Sequence, residues 1–374
     1  MTRPWDAGRA VARLERLVSL ETPSGDVARL DAAYDLVAGW AAPVLGRAPE
    51  RVVSDGVPHL LWRTPEPPDV LVLGHLDTVF PAGTVGRRPF RVVDGRAYGP
   101  GVFDMKAGVV VALDALERAA CPDRVALLLT GDEETGSVTS RALVEEVAGG
   151  AGAVLVLEPS LAGALKVGRK GGSFYHLDFH GRAAHAGLEP ERGRNALLEL
   201  ARWALELPGL ADPGRGTTVT PTVASAGTTV NVVPDRATLT VDVRASTRVE
   251  QLRVDEEIRR LVADHDHLDG VGVLLDGGIN RPPLEVAGSE ALVALCRSEA
   301  LRHGLDGPDA VSVGGASDGN FTAALGIPTL DGLGPVGDGA HAEHEWVELS
   351  SLGDRTAIVA GMLDVLTGAR AAGA

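Results

Sequence analysis

The sequence predicts an α/β fold: a mostly parallel sheet with helices on both faces, interrupted by an α+β insertion. Three observations carry that expectation. Short continuous apolar runs rich in β-branched residues, Asp69–Leu73, Arg124–Thr130 and Ala153–Leu157, alternate with helical stretches, as strands buried on both faces do. Around Arg169 the pattern changes, and Ser173–His180 and Ala237–Arg244 alternate apolar with polar residues, which predicts an antiparallel sheet with one covered face. From about Pro283 the helix and strand alternation resumes. The expected boundaries are therefore 1–169 and 283–374 for the two parts of the α/β domain and 170–282 for the insertion. A chain of 374 residues is long enough for that arrangement.

The N-terminal segment reads as an amphipathic helix with Val11, Leu14 and Val18 on one face. After the Asp69–Leu73 strand, Asp104 opens a helical stretch, KAGVVVALDALERAA. SVTSRALVEEVA is the helix between the second and third strands. Within the insertion, helices are expected at about 194–207 and 248–263. The last part contains a helix at Glu290–His303, strands at Ala310–Val313 and Ile327–Leu330, and a final helix at about Ser351–Leu366.

Composition removes several function classes. Hydrophobic residues make up 45% and charged residues 23% of the chain, with a mean hydropathy of +0.09, which describes a globular protein with a sizeable core. The formal charge of −16 would repel a phosphate backbone, so nucleic acid is not an expected partner. No apolar run approaches the roughly 18 residues of a membrane span, and the N-terminus lacks a signal-peptide core, so neither a membrane nor export is expected. Cys121 and Cys296 are too few for a disulfide framework or a thiolate cluster, and read as free thiols in a reducing cytoplasm.

The three central strands end in chemistry that a buried sheet does not need. The first runs into Gly74-His75-Leu76-Asp77, the second into Gly131-Asp132-Glu133-Glu134, and the third into Glu158-Pro159. In a parallel sheet these tips share the carboxyl edge, where ligands bind. Asp104 falls just after the first strand at a helix start, where an N-cap is the ordinary reading. Carboxylates crowded at one edge repel unless positive charge lies between them. Histidine and carboxylate donors without cysteine suit zinc and related divalent ions, and several carboxylates around one point allow bridging between two ions.

The motifs GHLDTV (74–79), GPGVFDMKAG (99–108), GDEETGS (131–137), LEPS (157–160) and HAEHEWV (341–347) resemble those of a known family. It comprises the co-catalytic zinc metallopeptidases that include glutamate carboxypeptidase, acetylornithine deacetylase, succinyl-diaminopimelate desuccinylase and aminoacylase. HAGLEPERGRNAL (185–197), TTVNVVPDRATLTVDVR (228–244) and GGASDGN (314–320) also fit, nearest to glutamate carboxypeptidase. The resemblance implies two divalent ions per subunit, zinc first, with cobalt or manganese accepting similar ligands. His75, Asp104 and Glu158 would hold one ion. Asp104 would bridge to the second, held also by Glu134 and His341. Glu133 would act as general base on a water between the ions, and Asp77 would orient the His75 imidazole. The insertion would be a lid and homodimerisation domain, with His185 reaching the partner subunit's site. Asn231, Arg244 and, as a weaker match, Arg281 would line the substrate's carboxylate subsite. The implied reaction is hydrolysis of an amide bond next to a free carboxylate, in a small peptide or an N-acyl amino acid.

Two other readings exist. Gly315-Ala316-Ser317-Asp318-Gly319 fits the G-x-S-x-G nucleophile elbow of serine α/β-hydrolases, with Asp331 or Asp338 and His341 following in chain order. A non-catalytic member that binds amino acids or peptides is the third reading, against which Asp77 and Glu133 both stand. His176, Asp178 and His180 share one strand face and are expected to be a solvated or interface face rather than a metal site. His265 and His267 are expected in a turn at a helix end, and His344 is the rival to His341 as a ligand.

Overall fold

A computed structural model describes residues 5–264, 268 and 270–369. His265 and His267 lie outside the described residues. The chain divides into two compact units, one of Met1–Gly168, Glu285–Val313 and Ser317–Ala374, the other of Arg169–Leu284 and Gly314–Ala316.

The first unit is built on a six-stranded sheet in the order Glu50–Ser54, Val57–Trp62, Val125–Thr130, Val70–His75, Ala153–Val156 and Thr329–Leu330. The last four strands are parallel to one another, and the first two run antiparallel at one edge. Every residue of the three central strands is buried, as their unbroken apolar runs require. Successive residues serve opposite faces. Val70, Val72, Leu127, Leu129 and Leu155 pack with the helices Ala7–Ser19, Val27–Leu45, Ala107–Leu116, Glu290–Arg302 and Leu349–Leu366. Leu71, Leu73, Leu128, Val154 and Val156 pack with Leu143, Val144 and Val147 of the helix Arg141–Ala148 and with Phe321. The expected α/β layering, with helices on both faces of a mostly parallel sheet, is present.

Gly108 sets how closely the Ala107–Leu116 helix meets the sheet. A Cβ placed there would lie 2.0 Å from the Leu157 carbonyl oxygen. A second sheet, ordered Gly337–Asp338, Trp346–Glu348, Arg96–Tyr98 and Arg91–Val93, fixes both ends of the loop that carries His341.

The second unit is a four-stranded antiparallel sheet in the order Thr218–Ala226, Arg236–Ala245, Gly171–His180 and Gly272–Arg281. Tyr175, Leu177, Phe179, Leu239, Val241 and Val243 face a core completed by Trp203 of the Ala196–Glu206 helix and by Val254 and Ile258 of the Arg248–Asp264 helix. The opposite face carries His176, Asp178 and His180: His176 Nδ1 is 3.2 Å from Thr240 Oγ1 and its Nε2 3.6 Å from Asp178 Oδ1, and Arg236 Nη1 donates to His180 Nε2 at 3.2 Å. These contacts leave that face as an ordinary polar one.

Candidate metal centre

The parallel pairing of the central strands brings their C-terminal ends to one edge of the first unit. His75 ends the Val70–His75 strand, Glu134 sits in the Glu133–Thr135 turn after Val125–Thr130, and Glu158 lies two residues past Ala153–Val156. Asp104 comes from the Val102–Lys106 turn, with an extended backbone at φ −109° and ψ 99°. The expectation that Asp104 opens the helix is corrected: the helix begins at Ala107, and Asp104 projects ahead of it. His341 holds a φ of 65° in its loop.

Two ligand sets result, each with donor atoms within 4.8 Å of one another: His75, Asp104 and Glu158, and Asp104, Glu134 and His341. His75 Nε2 lies 3.3 Å from Asp104 Oδ1 and 3.4 Å from Glu158 Oε1. His341 Nε2 lies 3.3 Å from Asp104 Oδ2 and 3.0 Å from Glu134 Oε2. Asp104 therefore turns one oxygen to each set. His75 Nδ1 is 2.9 Å from the Asp77 carbonyl oxygen, which can only accept, so in the neutral ring Nδ1 carries the proton and Nε2 has its lone pair toward the cluster.

The electrostatics ask for a cation. Burial pulls the His75 imidazole down, but the carboxylates of Asp104, Asp77 and Glu158 outweigh it and hold it well above the usual histidine range. Asp104 and Glu134 push His341 up to about 10. Burial raises Asp104, yet the His341 and His75 imidazoles beside it leave it well below the carboxylate range, while burial keeps Glu134 raised. A divalent ion in each set would balance these carboxylates.

The donors fit such ions. His75 Nε2, Asp104 Oδ1 and Glu134 Oε1 are buried and, among the described residues, have no hydrogen-bond partner. Two ligands about 2.0–2.1 Å from a tetrahedral zinc stand about 3.3 Å apart, which matches the spacing of these donors.

Asp77 lies against the His75 imidazole and also holds a backbone turn. Its carboxylate Oδ1 is 3.4 Å from His75 Nδ1, while its backbone carbonyl makes the shorter contact. The carboxylate also accepts the backbone N–H groups of Glu133 and Glu134, each at 3.1 Å, and the Ser24 hydroxyl at 2.7 Å. Asp77 thus holds the turn that carries Glu133 and Glu134. Ser24 and Glu345 were missed in the sequence. Glu345 is wholly buried against the Asp104 turn, and burial, opposed by backbone N–H bonds from that turn, puts its carboxyl at about 7. The only signal for it was an acid four residues after His341.

The remaining expected site residues belong to the second unit. His185 is exposed, and its Nδ1 accepts the backbone N–H of Gly187 and of Leu188, both at 3.1 Å, so in the neutral ring Nε2 carries the proton. The Asn231 carbonyl accepts from the Ala186 N–H at 2.9 Å, which ties the two segments together. Arg244 donates through Nε and Nη2 to Asp242 at 2.9 and 2.7 Å, and its Nη1 lies over Gly172. Arg281 is buried at the end of the Gly272–Arg281 strand.

Ser317 does not form a nucleophile elbow. It is wholly buried, and its hydroxyl donates to Asp331 Oδ2 at 2.5 Å, while His341 stands among the carboxylates of Asp104 and Glu134. His344 is exposed and belongs to neither ligand set.

Residues 71–365 match the model of peptidase family M20/M25/M40. Carboxypeptidase G2 of Pseudomonas sp. strain RS-16 is 30% identical over 94% of this chain and 88% of its own length. Succinyl-diaminopimelate desuccinylase of Alkalilimnicola ehrlichii is 31% identical over 82% of this chain and 87% of its own. Among solved structures, aminopeptidase PepT from Bacillus cereus has a TM-score of 0.77 at 20% identity, over 97% of this chain and 99% of that one, which speaks to the fold. With the family model spanning most of the chain and curated relatives at this identity, the chain belongs to peptidase family M20/M25/M40 and is a metal-dependent hydrolase of amide bonds.

Proposed function

We propose that this hydrolase uses two zinc ions per subunit to cleave an amide bond whose leaving amine belongs to an amino acid with a free carboxylate. The observation that carries the reading is Asp104, with Oδ1 in one ligand set and Oδ2 in the other. His75 and Glu158 complete the first set, Glu134 and His341 the second. Bound there, the ions would acidify a water and polarise the scissile carbonyl. Glu133 is the general base, taking the water's proton and passing it to the leaving nitrogen. Asp77 supports that role by fixing the Glu133 backbone.

His185 contributes its Nε2–H as a donor to the carbonyl oxygen as negative charge develops there, acting in the partner subunit's site. A homodimer through the second unit is supported by its edge strand Thr218–Ala226 and by exposed apolar side chains such as Leu205 and Val223. Asn231 and Arg244, with Arg281 as the weaker match, meet the substrate carboxylate; the Asp242 pair leaves Arg244 one amino group for that contact. The names of the two curated relatives support a peptidase or a deacylase acting beside a carboxylate. Two free cysteines support a cytoplasmic location.

Metal analysis and turnover test the reading together. The purified protein should bind two divalent ions, lose activity to a chelator and regain it with zinc or cobalt. An N-acyl amino acid should be cleaved about 10- to 150-fold faster than its α-amide, the value of one hydrogen bond to a charged group at about 1.5–3 kcal/mol. Arg244→Ala should remove most of that difference. Chelator-resistant turnover sinks the metal reading; equal turnover of acid and amide sinks only the carboxylate preference.

A further inference from the structure

Glu345 joins two of the three segments on which the second ligand set stands, the Asp104 turn and the His341 loop. Its side chain is 0% exposed. Oε2 accepts the Gly101 N–H at 2.8 Å, and Oε1 accepts the N–H groups of Phe103 and Asp104, both at 2.9 Å. This stretch gets no help from a helix, because Asp104 is extended and the helix starts at Ala107. The turn is also tight: Gly101 has φ +70°, and a Cβ there would lie 2.6 Å from Thr78 Cγ2. Glu345 is itself held, since Trp346–Glu348 pairs with both Gly337–Asp338 and Arg96–Tyr98. One end of the His341 loop is thus tied through a single carboxylate to the backbone of the residue shared by both ligand sets.

We propose that Glu345 is a positioning residue for the metal centre: by accepting three backbone N–H groups it sets where Asp104 presents its two oxygens, and so the zinc affinity of the site. The inference rests on the metal reading above. A shift of the Asp104 backbone would move Oδ1 and Oδ2 together, so both ligand sets should feel the loss. Glutamine at this place has nearly the same shape but only one acceptor oxygen, and its amide group would meet a backbone N–H with another donor.

The test compares wild type, Glu345→Gln, Glu345→Asp and, as control, Glu343→Gln, an exposed acid in the same loop. Zinc affinity of the apoprotein is measured by competition with a chromogenic chelator, alongside Tm, kcat and KM. Glu345→Gln should bind zinc about 10- to 100-fold more weakly, the usual effect of losing a group that orients a ligand. Its kcat should fall with KM little changed, and Glu343→Gln should match wild type. A folded Glu345→Gln with wild-type zinc affinity overturns the assignment, as does a lowered Tm with affinity intact, which is what a purely structural role predicts. If Glu345→Gln does not fold, Glu345→Asp is read the same way, and loss of the fold in both overturns it too. Wild type that binds no zinc refutes the metal reading itself, whereas wild type that binds two beside an unaltered Glu345→Gln refutes only this inference.

Discussion

Glu133 and Glu134 are neighbours in a three-residue turn, yet only Glu134 reaches a ligand set. Identical side chains one bond apart along the chain thus occupy different chemical positions, because the turn aims them differently and Asp77 holds both their N–H groups. The proposed roles separate on measurement. Glu133→Gln should keep both metals and lose about 10²–10⁴ in rate, roughly 3–5 kcal/mol of barrier. Glu134→Gln should lose metal as well as rate. Metal content and kcat measured on the two variants decide it, and equal metal loss in both would reverse the pair. Arg244 shows the same dependence on surroundings: Asp242 takes two of its donor groups before any substrate arrives.

At the scale of elements, two glycines in helices of the first unit make opposite predictions for one substitution. Gly39 is exposed in the Val27–Leu45 helix, and a Cβ there meets nothing within 4 Å. Gly39→Ala should stabilise by about 0.5–1 kcal/mol, through helix propensity and a less free unfolded chain. Gly108 lies against the third strand's end, where a Cβ would meet the Leu157 carbonyl at 2.0 Å. Gly108→Ala should destabilise by about 1–3 kcal/mol, because the helix must lift off a close-packed sheet. Since Leu157 precedes Glu158, it should also weaken metal binding. Chemical denaturation of both variants checks the signs.

For the whole molecule, the proposal needs two copies of the chain. His185 and the two ligand sets belong to different compact units, and the proposed working site takes His185 from the partner subunit. Inactive His185→Ala subunits mixed with inactive Glu133→Gln subunits should then regain activity, with one intact site per heterodimer. Absence of recovery after confirmed subunit exchange would place His185 in its own subunit's site or outside catalysis. A monomer at working concentration by sedimentation would remove the dimer from the proposal.

The sequence by itself determined the fold class and the edge on which the acids gather. Continuous apolar runs report burial on both faces, parallel pairing follows from the intervening helices, and that pairing sends His75, Glu134 and Glu158 to one side of the sheet. Such signals are local or periodic, so one chain suffices to read them. What only the tertiary structure decided depends on contacts between distant residues. Glu345 meets Asp104 across 241 positions, Asp77 meets Glu133 across 56, and Ser317 meets Asp331 inside the core rather than a histidine. Glu345 and the exposed Glu343 look alike as letters, and Gly108 looks like Gly39. Hydrogen-bond partners and packing distances are properties of the folded neighbourhood, and neither residue type nor spacing along the chain encodes them.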